Sequence, residues 1–365
     1  MLQTELKQSG RIRPTLSACR DVSVIATLGV YGLYAGSGFL IPLSLALLVY
    51  VLIIAVSDRV TNILPLPVWA ANIIGVAVVL VGLFMVMFVL GNQATHFARA
   101  IGTYETQFDN ALSRVVALIG NDVAIFIRDN LVNIDMSLVA RSAFGGATSF
   151  LNTFLLISLY VAFMMAERTI FRKKIQLAAN DQELGRDLTS MMVAISGSLQ
   201  SYVGVKSFVS ALTALISYTV FRLLELEYAE TWAVLTFALN FIPSIGSIVA
   251  VIFPALVSLV QFDTMTPFLV IVLFCGTIQF LIGNVLDPAL LGKSLNMSTF
   301  MVILALTFWS AVWGLTGAFL SVPLTVCILI VFSHIPALRP IAILMSKDGE
   351  LMSTEPPKEE NRTAS

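Results

Sequence analysis

Charged residues are scarce in this chain. Only 12% of its 365 residues are Asp, Glu, Lys or Arg, about half the share of an average soluble domain. The mean hydropathy is +0.91. Because so few charges cannot cover the surface of a soluble protein of this length, the composition excludes a soluble enzyme and a disordered chain. It predicts an all-α membrane protein that crosses the bilayer several times.

Residues for metal binding, disulfides and nucleotide chemistry are also few. The three cysteines form no CxxC pair, and the two histidines, His96 and His334, are far apart, so we expect no disulfide framework and no metal site. There is no Gly-x-Ser-x-Gly motif, and Asp287 stands where a phosphate-binding loop ending at Ser294 needs glycine. A net charge of −1 gives no field for nucleic acid. We therefore predict that the protein is neither an enzyme nor an ATP-driven pump, and we expect no cofactor.

Long runs without charged residues make up most of the chain. A spanning helix needs about 20 apolar residues, and this criterion predicts about eight hydrophobic helical units. Gly36-Ser37-Gly38 and Pro42 divide the first run into two spans. Lys206 falls near the start of the fifth span. The runs are Val22–Ser57, Val68–Gly91, Ser142–Ala166, Leu199–Phe221, Thr231–Gln261, Thr264–Leu286 and Ser294–Leu338.

Two polar segments separate the runs. Asn92–Arg141 has apolar residues at steps of three and four, which predicts an amphipathic helix between spans three and four. This helix either lies on the bilayer or on other helices, or forms an arm that packs against neighbouring subunits. The second segment, Glu167–Asp187, begins with a basic cluster. Its members are Arg168, Arg172, Lys173 and Lys174.

The distribution of lysine and arginine predicts the orientation of the chain. The N-terminal tail and the Arg168–Lys174 cluster are both basic and are separated by four crossings, so the positive-inside rule places both in the cytoplasm. The acidic turn with Glu225, Glu227 and Glu230 then lies outside. The same count predicts a cytoplasmic C-terminus.

The runs and the polar segments divide the chain into six parts. They are a cytoplasmic tail (1–21), the first three spans (22–91), the amphipathic arm (92–145), spans four and five with their basic cytoplasmic connection (146–222), a transport core with broken helices (223–338) and a flexible cytoplasmic tail (339–365).

Thr231–Gln261 and Ser294–Leu338 are each too long for one crossing, and both contain residues that break helices. Paired interruptions of this kind point to a transport site. We interpret both runs as re-entrant hairpins of an inverted repeat; kinked helices or pairs of full crossings are the alternatives. The breaking residues are Pro243, Ser244 and Gly246, with Pro254 later, in the first run, and Gly314 and Gly317, with Pro323 later, in the second.

The segment Gly283–Lys293 contains Asp287, a carboxylate next to an apolar run. An acid inside a membrane is a functional candidate, while Asp before Pro is also a good N-cap for a short helix that stops at Gly292. Lys293 either belongs to the pathway or extends to the membrane surface. Neutral polar residues near the breaks either line a pathway or join helices. They are Asn240, Ser244, Ser247, Gln279 and Asn284, which with Pro243, Gly246, Asp287 and Lys293 make nine candidate residues of a substrate or ion pathway.

Three groups of residues resemble the autoinducer-2 exporter (AI-2E) family. The resemblance is most specific over Thr231–Val331. Family members often have an aromatic residue at the position of Ser244 and a His-Pro pair near Met297-Ser298, and this sequence departs from both patterns. The groups are Phe241-Ile242-Pro243-Ser244-Ile245-Gly246 followed by Pro254, the Gly283-to-Gly292 link with Asp287-Pro288, and Trp313-Gly314-Leu315-Thr316-Gly317 followed by Val322-Pro323-Leu324.

The resemblance implies a multi-pass secondary transporter of the bacterial inner membrane. It further implies a homo-oligomer, in this family a pentamer, and an elevator-like motion. Family members are associated with export of the signalling molecule autoinducer-2, and some with exchange of sodium or lithium for protons.

Three functions are therefore expected from the sequence. The first is export of a small polar solute such as autoinducer-2, with the two hairpin tips meeting near the membrane midplane around neutral hydrogen-bonding residues. The second is cation/proton antiport, which needs a carboxylate open alternately to both sides; Asp287 is the first candidate and Asp263 the second. The third is a scaffold or passive pore that does not transport actively.

Overall fold

A computed structural model of the chain describes residues 16–86, 88–89, 152–168, 170, 174, 177, 182–291 and 296–349. This part of the chain is helical except for connecting segments and one isolated bridge between Met297 and Ser346. Its helices are α1 (Leu16–Ala35), α2 (Ser37–Ile63), α3 (Val68–Val86), α4 (152–168), α5 (Gln182–Leu223), α6 (Ala229–Leu239), α7 (Ile245–Gln261), α8 (Thr266–Leu291), α9 (Thr299–His334) and α10 (Arg339–Met345).

Five of the helices in these ranges are long and apolar enough to cross a membrane. By length and composition alone they are α2, α3, the Gly185–Leu223 part of α5, α8 and α9, of which α9 is interrupted at Trp313 and Gly314. The prediction of an all-α polytopic membrane protein is confirmed. The predicted amphipathic arm, 92–145, lies outside the described residues.

The first uncharged run forms two helices that are separated at Gly36, where a break was predicted. α1 ends at Ala35 and α2 begins at Ser37, with Gly36 between them. A Cβ at Gly36 would lie 2.9 Å from the carbonyl oxygen of Gly32, so the junction is tight. Pro42 lies inside α2 and not in the turn. α2 also continues past the predicted end at Ser57 to Ile63, because extending a helix that is already formed costs little, even through exposed charged residues.

α5 is 42 residues long and begins well before the predicted start at Leu199. The preceding residues, 182–198, contain no proline, and their charges do not stop the helix. Lys206 is therefore in the middle of α5 and not near its start. Only 9% of this lysine is exposed.

Helices α6 and α7 form an antiparallel pair, named hairpin 1 (residues 229–261). The side chain of Gln261 accepts from the backbone N–H of Glu227 at 2.7 Å and donates to the carbonyl of Glu225 at 2.8 Å, which closes the base of the hairpin. The helices have 11 and 17 residues, about 16 and 26 Å, which is short of the roughly 30 Å hydrocarbon layer.

Helix α9 also folds back on itself and is named hairpin 2 (Thr299–His334). The helix is interrupted at Trp313 (φ −125°, ψ 15°) and Gly314 (φ 60°, ψ −139°). The indole Nε1 of Trp309 donates to Oγ1 of Thr325 at 3.1 Å. In a straight helix, residues 16 positions apart are separated by about 24 Å. Both runs therefore fold back on themselves, which excludes kinked single helices; that the two hairpins are re-entrant stays a prediction.

The two hairpins meet near their tips. The rings of Phe241 and Phe319 stack with centroids 4.9 Å apart, and Ile242 is buried with Leu306 and Ala318. Along the chain, the base of hairpin 1 directly precedes α8 and the base of hairpin 2 directly follows it. The hairpins therefore approach each other from opposite ends of α8.

Part of the predicted C-terminal tail packs on the base of hairpin 2. Ala342 and Met345 of α10 are buried, and the backbone N–H of Ser298 donates to the carbonyl of Met345 at 3.1 Å. The Ser298 side chain also caps α9 by accepting from the N–H of Met301. Helical structure packed on hairpin 2 thus continues to Met345, beyond the predicted boundary at 338.

Candidate functional site

A cavity of about 580 Å³ lies between α5, hairpin 1 and α8. The structure brings seven of the nine predicted pathway residues to its wall. They are Asn240, Pro243, Ser244, Ser247, Gln279, Asn284 and Asp287. Val209, Val251 and Val272 are among the apolar residues between them, so the cavity has separate polar groups on an apolar wall, as binding sites for small molecules do.

The remaining predicted residues lie elsewhere. Gly246 is buried in α7 beside the cavity, and Pro254 is buried further along the same helix. Lys293 lies outside the described residues. The other predicted helix breakers belong to hairpin 2 and do not line the cavity. They are Gly314, Gly317 and Pro323.

The tip of hairpin 1 gives the cavity one of its walls. The N–H of Ile245 donates to the carbonyl of Pro243 at 2.6 Å, and Ser244 between them has φ 59° and ψ −56°. This is a three-residue γ-turn with positive φ, a rare and strained geometry. Such strain persists only where the surrounding structure fixes the backbone, and it is concentrated at functional sites.

Helix α8 gives the opposite wall and runs without a stop through Asp287 to Leu291. Asp287 has helical angles, φ −56° and ψ −54°, so the interpretation of this residue as the N-cap of a separate helix is wrong. The preceding turn, Ile282–Leu286, is π-helical. Pro288 has no N–H to donate to this turn, and widened turns accommodate such a missing bond. The turn holds Asn284 at the cavity wall.

A buried ion pair joins α5 to α8. Lys206 Nζ forms a salt bridge with Asp287 Oδ2, and the two side chains are 11% and 14% exposed. Lys206 Nζ also donates to the carbonyl of Asn240 at 3.4 Å. Burying a single charge is costly, and each member of the pair offsets the cost of the other.

Lys206 is the site residue that the sequence interpretation missed. It was noted only as a lysine near the start of a span, 81 positions from its partner. The signal was present, because an ionisable residue inside an apolar run is a functional candidate and usually has a partner of opposite charge.

Three polar atoms at the cavity are buried and have no hydrogen-bond partner among the described residues. They are Asn240 Nδ2, Gln279 Nε2 and Asp287 Oδ1. Asn240 and Gln279 are only 6% and 5% exposed. Nearly all buried polar groups have partners, so unsatisfied groups in one cavity indicate a site for water or ligand. The site offers two amide NH2 groups as donors and one carboxylate oxygen as acceptor.

A second cavity of about 570 Å³ lies between α2, α4 and α5, and it contains none of the predicted pathway residues. Most of its wall is apolar, with Asp58, Glu167 and Arg168 among the exceptions. Arg168 is partly neutralised by Asp58 at 4.0 Å and donates to Asn72 at 3.2 Å. In the described part of the chain, no group of three or more His, Cys, Asp or Glu residues is arranged so that it could hold a metal ion.

The fold and the cavity define a polytopic α-helical membrane protein with a polar site between broken helices. The profile of the AI-2E family transporter matches residues 24–337. The chain therefore belongs to the AI-2E transporter family.

Comparison with individual proteins supports this assignment. The chain is 26% identical to the AI-2 transport protein TqsA of Escherichia coli K12 over 91% of this chain and 97% of that protein. A Haemophilus influenzae protein with a provisional transport-protein name is 28% identical over 84% and 88%. A Borreliella burgdorferi protein, also provisionally named, is 31% identical. That match spans only 58% of each chain.

Proposed function

We propose that the protein is a secondary transporter of the bacterial inner membrane that exports a small, uncharged polar solute such as autoinducer-2. The supporting observation is the cavity with unpaired donors on Asn240 and Gln279 and hydroxyl groups on Ser244 and Ser247. A compact compound rich in hydroxyl and carbonyl groups both accepts from and donates to such a wall. The similarity to a protein named for AI-2 transport supports this choice of solute.

The proposal includes an elevator-like movement within a homo-oligomer. Residues of α2, α3 and α4 form one buried cluster around Ile53 and Val161, and α5, hairpin 1 and α8 form a separate one around Phe221 and Ile271. A third and larger cluster joins α2 to α5 and hairpin 2 around Leu48, Leu199 and Leu320, so the proposed movement is a sliding of α5 and hairpin 2 along α2. Contact between the tips through Phe241 and Phe319 keeps the two hairpins together.

The function is tested by uptake of labelled autoinducer-2 into proteoliposomes, with and without a proton gradient. Saturable uptake above that of empty liposomes is expected, and its dependence on the gradient would show proton coupling. Uptake that never saturates would indicate a passive pore. No uptake by folded protein would contradict the proposal.

The Q279M variant tests whether the cavity is the solute site. Methionine keeps the size of the side chain and removes a buried donor that has no partner, so we expect uptake to fall at least tenfold while the free energy of unfolding rises by about 1 kcal/mol. The control is Q200M in the second cavity, where Gln200 Nε2 donates to Ser196 at 3.3 Å. Its uptake should equal that of the wild type. Equal uptake by Q279M and the wild type would show that Gln279 does not contribute to the solute site.

Cation/proton antiport is the second candidate, because Asp287 Oδ1 is buried without a partner. It predicts sodium- or lithium-driven proton movement in the same vesicles, detected with a pH-sensitive dye and abolished by D287N. If that movement occurs without saturable autoinducer-2 uptake, the antiporter is the correct function.

A further inference from the structure

The ammonium group of Lys206 has the surroundings of a bound cation. Its oxygen neighbours are the carboxylate of Asp287 and the main-chain carbonyl of Asn240. Asn240 is the residue that follows the last turn of α6. In transporters with broken helices, the carbonyl end of a half-helix and a nearby carboxylate are the groups that coordinate sodium.

Lys206 and Asp287 are the charged residues of the cavity wall in the described chain. Their salt bridge gives this wall a net charge of zero. Without the lysine, the same wall would present an uncompensated carboxylate, the Asn240 carbonyl and the hydroxyl groups of Ser244 and Ser247. Hard monovalent and divalent cations prefer oxygen ligands of this kind.

We propose that Lys206 determines the specificity of the cavity: its ammonium group occupies the cation position at Asp287, so the site accepts an uncharged solute and binds no sodium or lithium ion. The inference rests on the proposed function for the identity of the solute. It explains why transport through a cavity with a buried carboxylate needs no bound coupling cation. It also assigns Lys206 a role beyond helix packing.

The test is a thermal unfolding series on the purified full-length protein in sodium, lithium or choline chloride at equal ionic strength. The wild type should unfold at the same temperature in all three salts. K206Q should show a saturable upward shift of several degrees in sodium or lithium relative to choline, since a ligand that binds only the folded state stabilises it. The double variant K206Q/D287N has no uncompensated charge and should lose this shift.

A matched control separates the site from a general effect of losing a lysine. Lys174 is exposed and forms a salt bridge with Glu167 at 3.3 Å, so K174Q should behave as the wild type in all three salts. A sodium-specific shift in the wild type would overturn the inference. So would a folded K206Q whose unfolding temperature does not depend on the cation, or a shift of equal size in the double variant.

The outcome does not depend on autoinducer-2. The unfolding series needs no transported solute, so it decides the role of Lys206 even if uptake of autoinducer-2 fails and the proposed function is wrong. If K206Q does not fold, the unfolding temperature of the wild type in the three salts is the deciding measurement. Equal unfolding temperatures of the wild type in sodium, lithium and choline support the inference, and an unfolding temperature that rises in sodium or lithium overturns it.

Discussion

Ser244 has a backbone conformation that an L-amino acid adopts only at a cost. Its φ of 59° belongs to the region that favours glycine. The hydrogen bond from Ile245 to Pro243 and the packing of the adjacent Ile242 hold it there. Hairpin 1 therefore stores strain at the point where its tip borders the cavity.

Replacing Ser244 by glycine should release this strain. We expect S244G to raise the free energy of unfolding by about 1 kcal/mol, because glycine has no Cβ to clash at positive φ. Chemical unfolding of the purified protein measures the change. The control is S247G in the same hairpin, where the backbone is helical and glycine should destabilise by about 0.5–1 kcal/mol. Shifts of the same sign in both variants would contradict the strain argument.

The two hairpins share one construction. After each tip, a glycine of the second arm lies against the last turn of the first arm. A Cβ at Gly246 would come within 1.8 Å of the Leu239 carbonyl oxygen, and a Cβ at Gly317 within 1.9 Å of the Trp309 carbonyl oxygen. Only glycine allows arms to approach this closely, and each hairpin depends on it.

Alanine at either glycine should open its hairpin. We expect G246A and G317A each to lower the free energy of unfolding by at least about 2 kcal/mol, because backbone atoms have no room to move aside. Solute uptake should fall in parallel. G197A is the matched control: no atom lies within 4 Å of a Cβ built at Gly197 in α5, so alanine should be neutral or stabilising by up to about 1 kcal/mol. A hairpin variant as stable as G197A would contradict this account of the tips.

The whole molecule combines two hairpins that enter from opposite ends of α8 and meet at Phe241 and Phe319. Between the basic residues after α4 and the acidic base of hairpin 1, at Glu225 and Glu227, runs α5, which is long and apolar enough for one crossing. With the positive-inside rule, this crossing predicts that these two regions face opposite sides of the membrane.

Cysteine labelling in intact cells tests this orientation. In a background without the native cysteines, E227C should react with a membrane-impermeant maleimide added outside, and K174C should react only after the cells are opened. Both positions are exposed, so differences in reactivity report the side of the membrane. The reverse pattern would place the termini outside. The native cysteines to be replaced are Cys19, Cys275 and Cys327.

The sequence by itself determined the class of protein, the helical units and the location of both hairpin tips. These features follow from local properties. Hydrophobicity over about 20 residues defines a span, and a run too long for one span breaks at some of its prolines and glycines, although Pro42, Pro254 and Pro323 remain inside helices. The breaks at Pro243–Gly246 and Gly314 therefore could be predicted from neighbouring residues alone.

The tertiary structure decided which distant residues share the cavity. Lys206 and Asp287 are 81 positions apart, and only the packing of α5 against α8 brings their charges together. The local sequence Asp-Pro favoured a helix start at Asp287, but α8 continues through it because the tertiary contacts of the helix outweigh a local capping preference. Pairing of buried charges depends on helix packing across the whole molecule, and no local pattern specifies it.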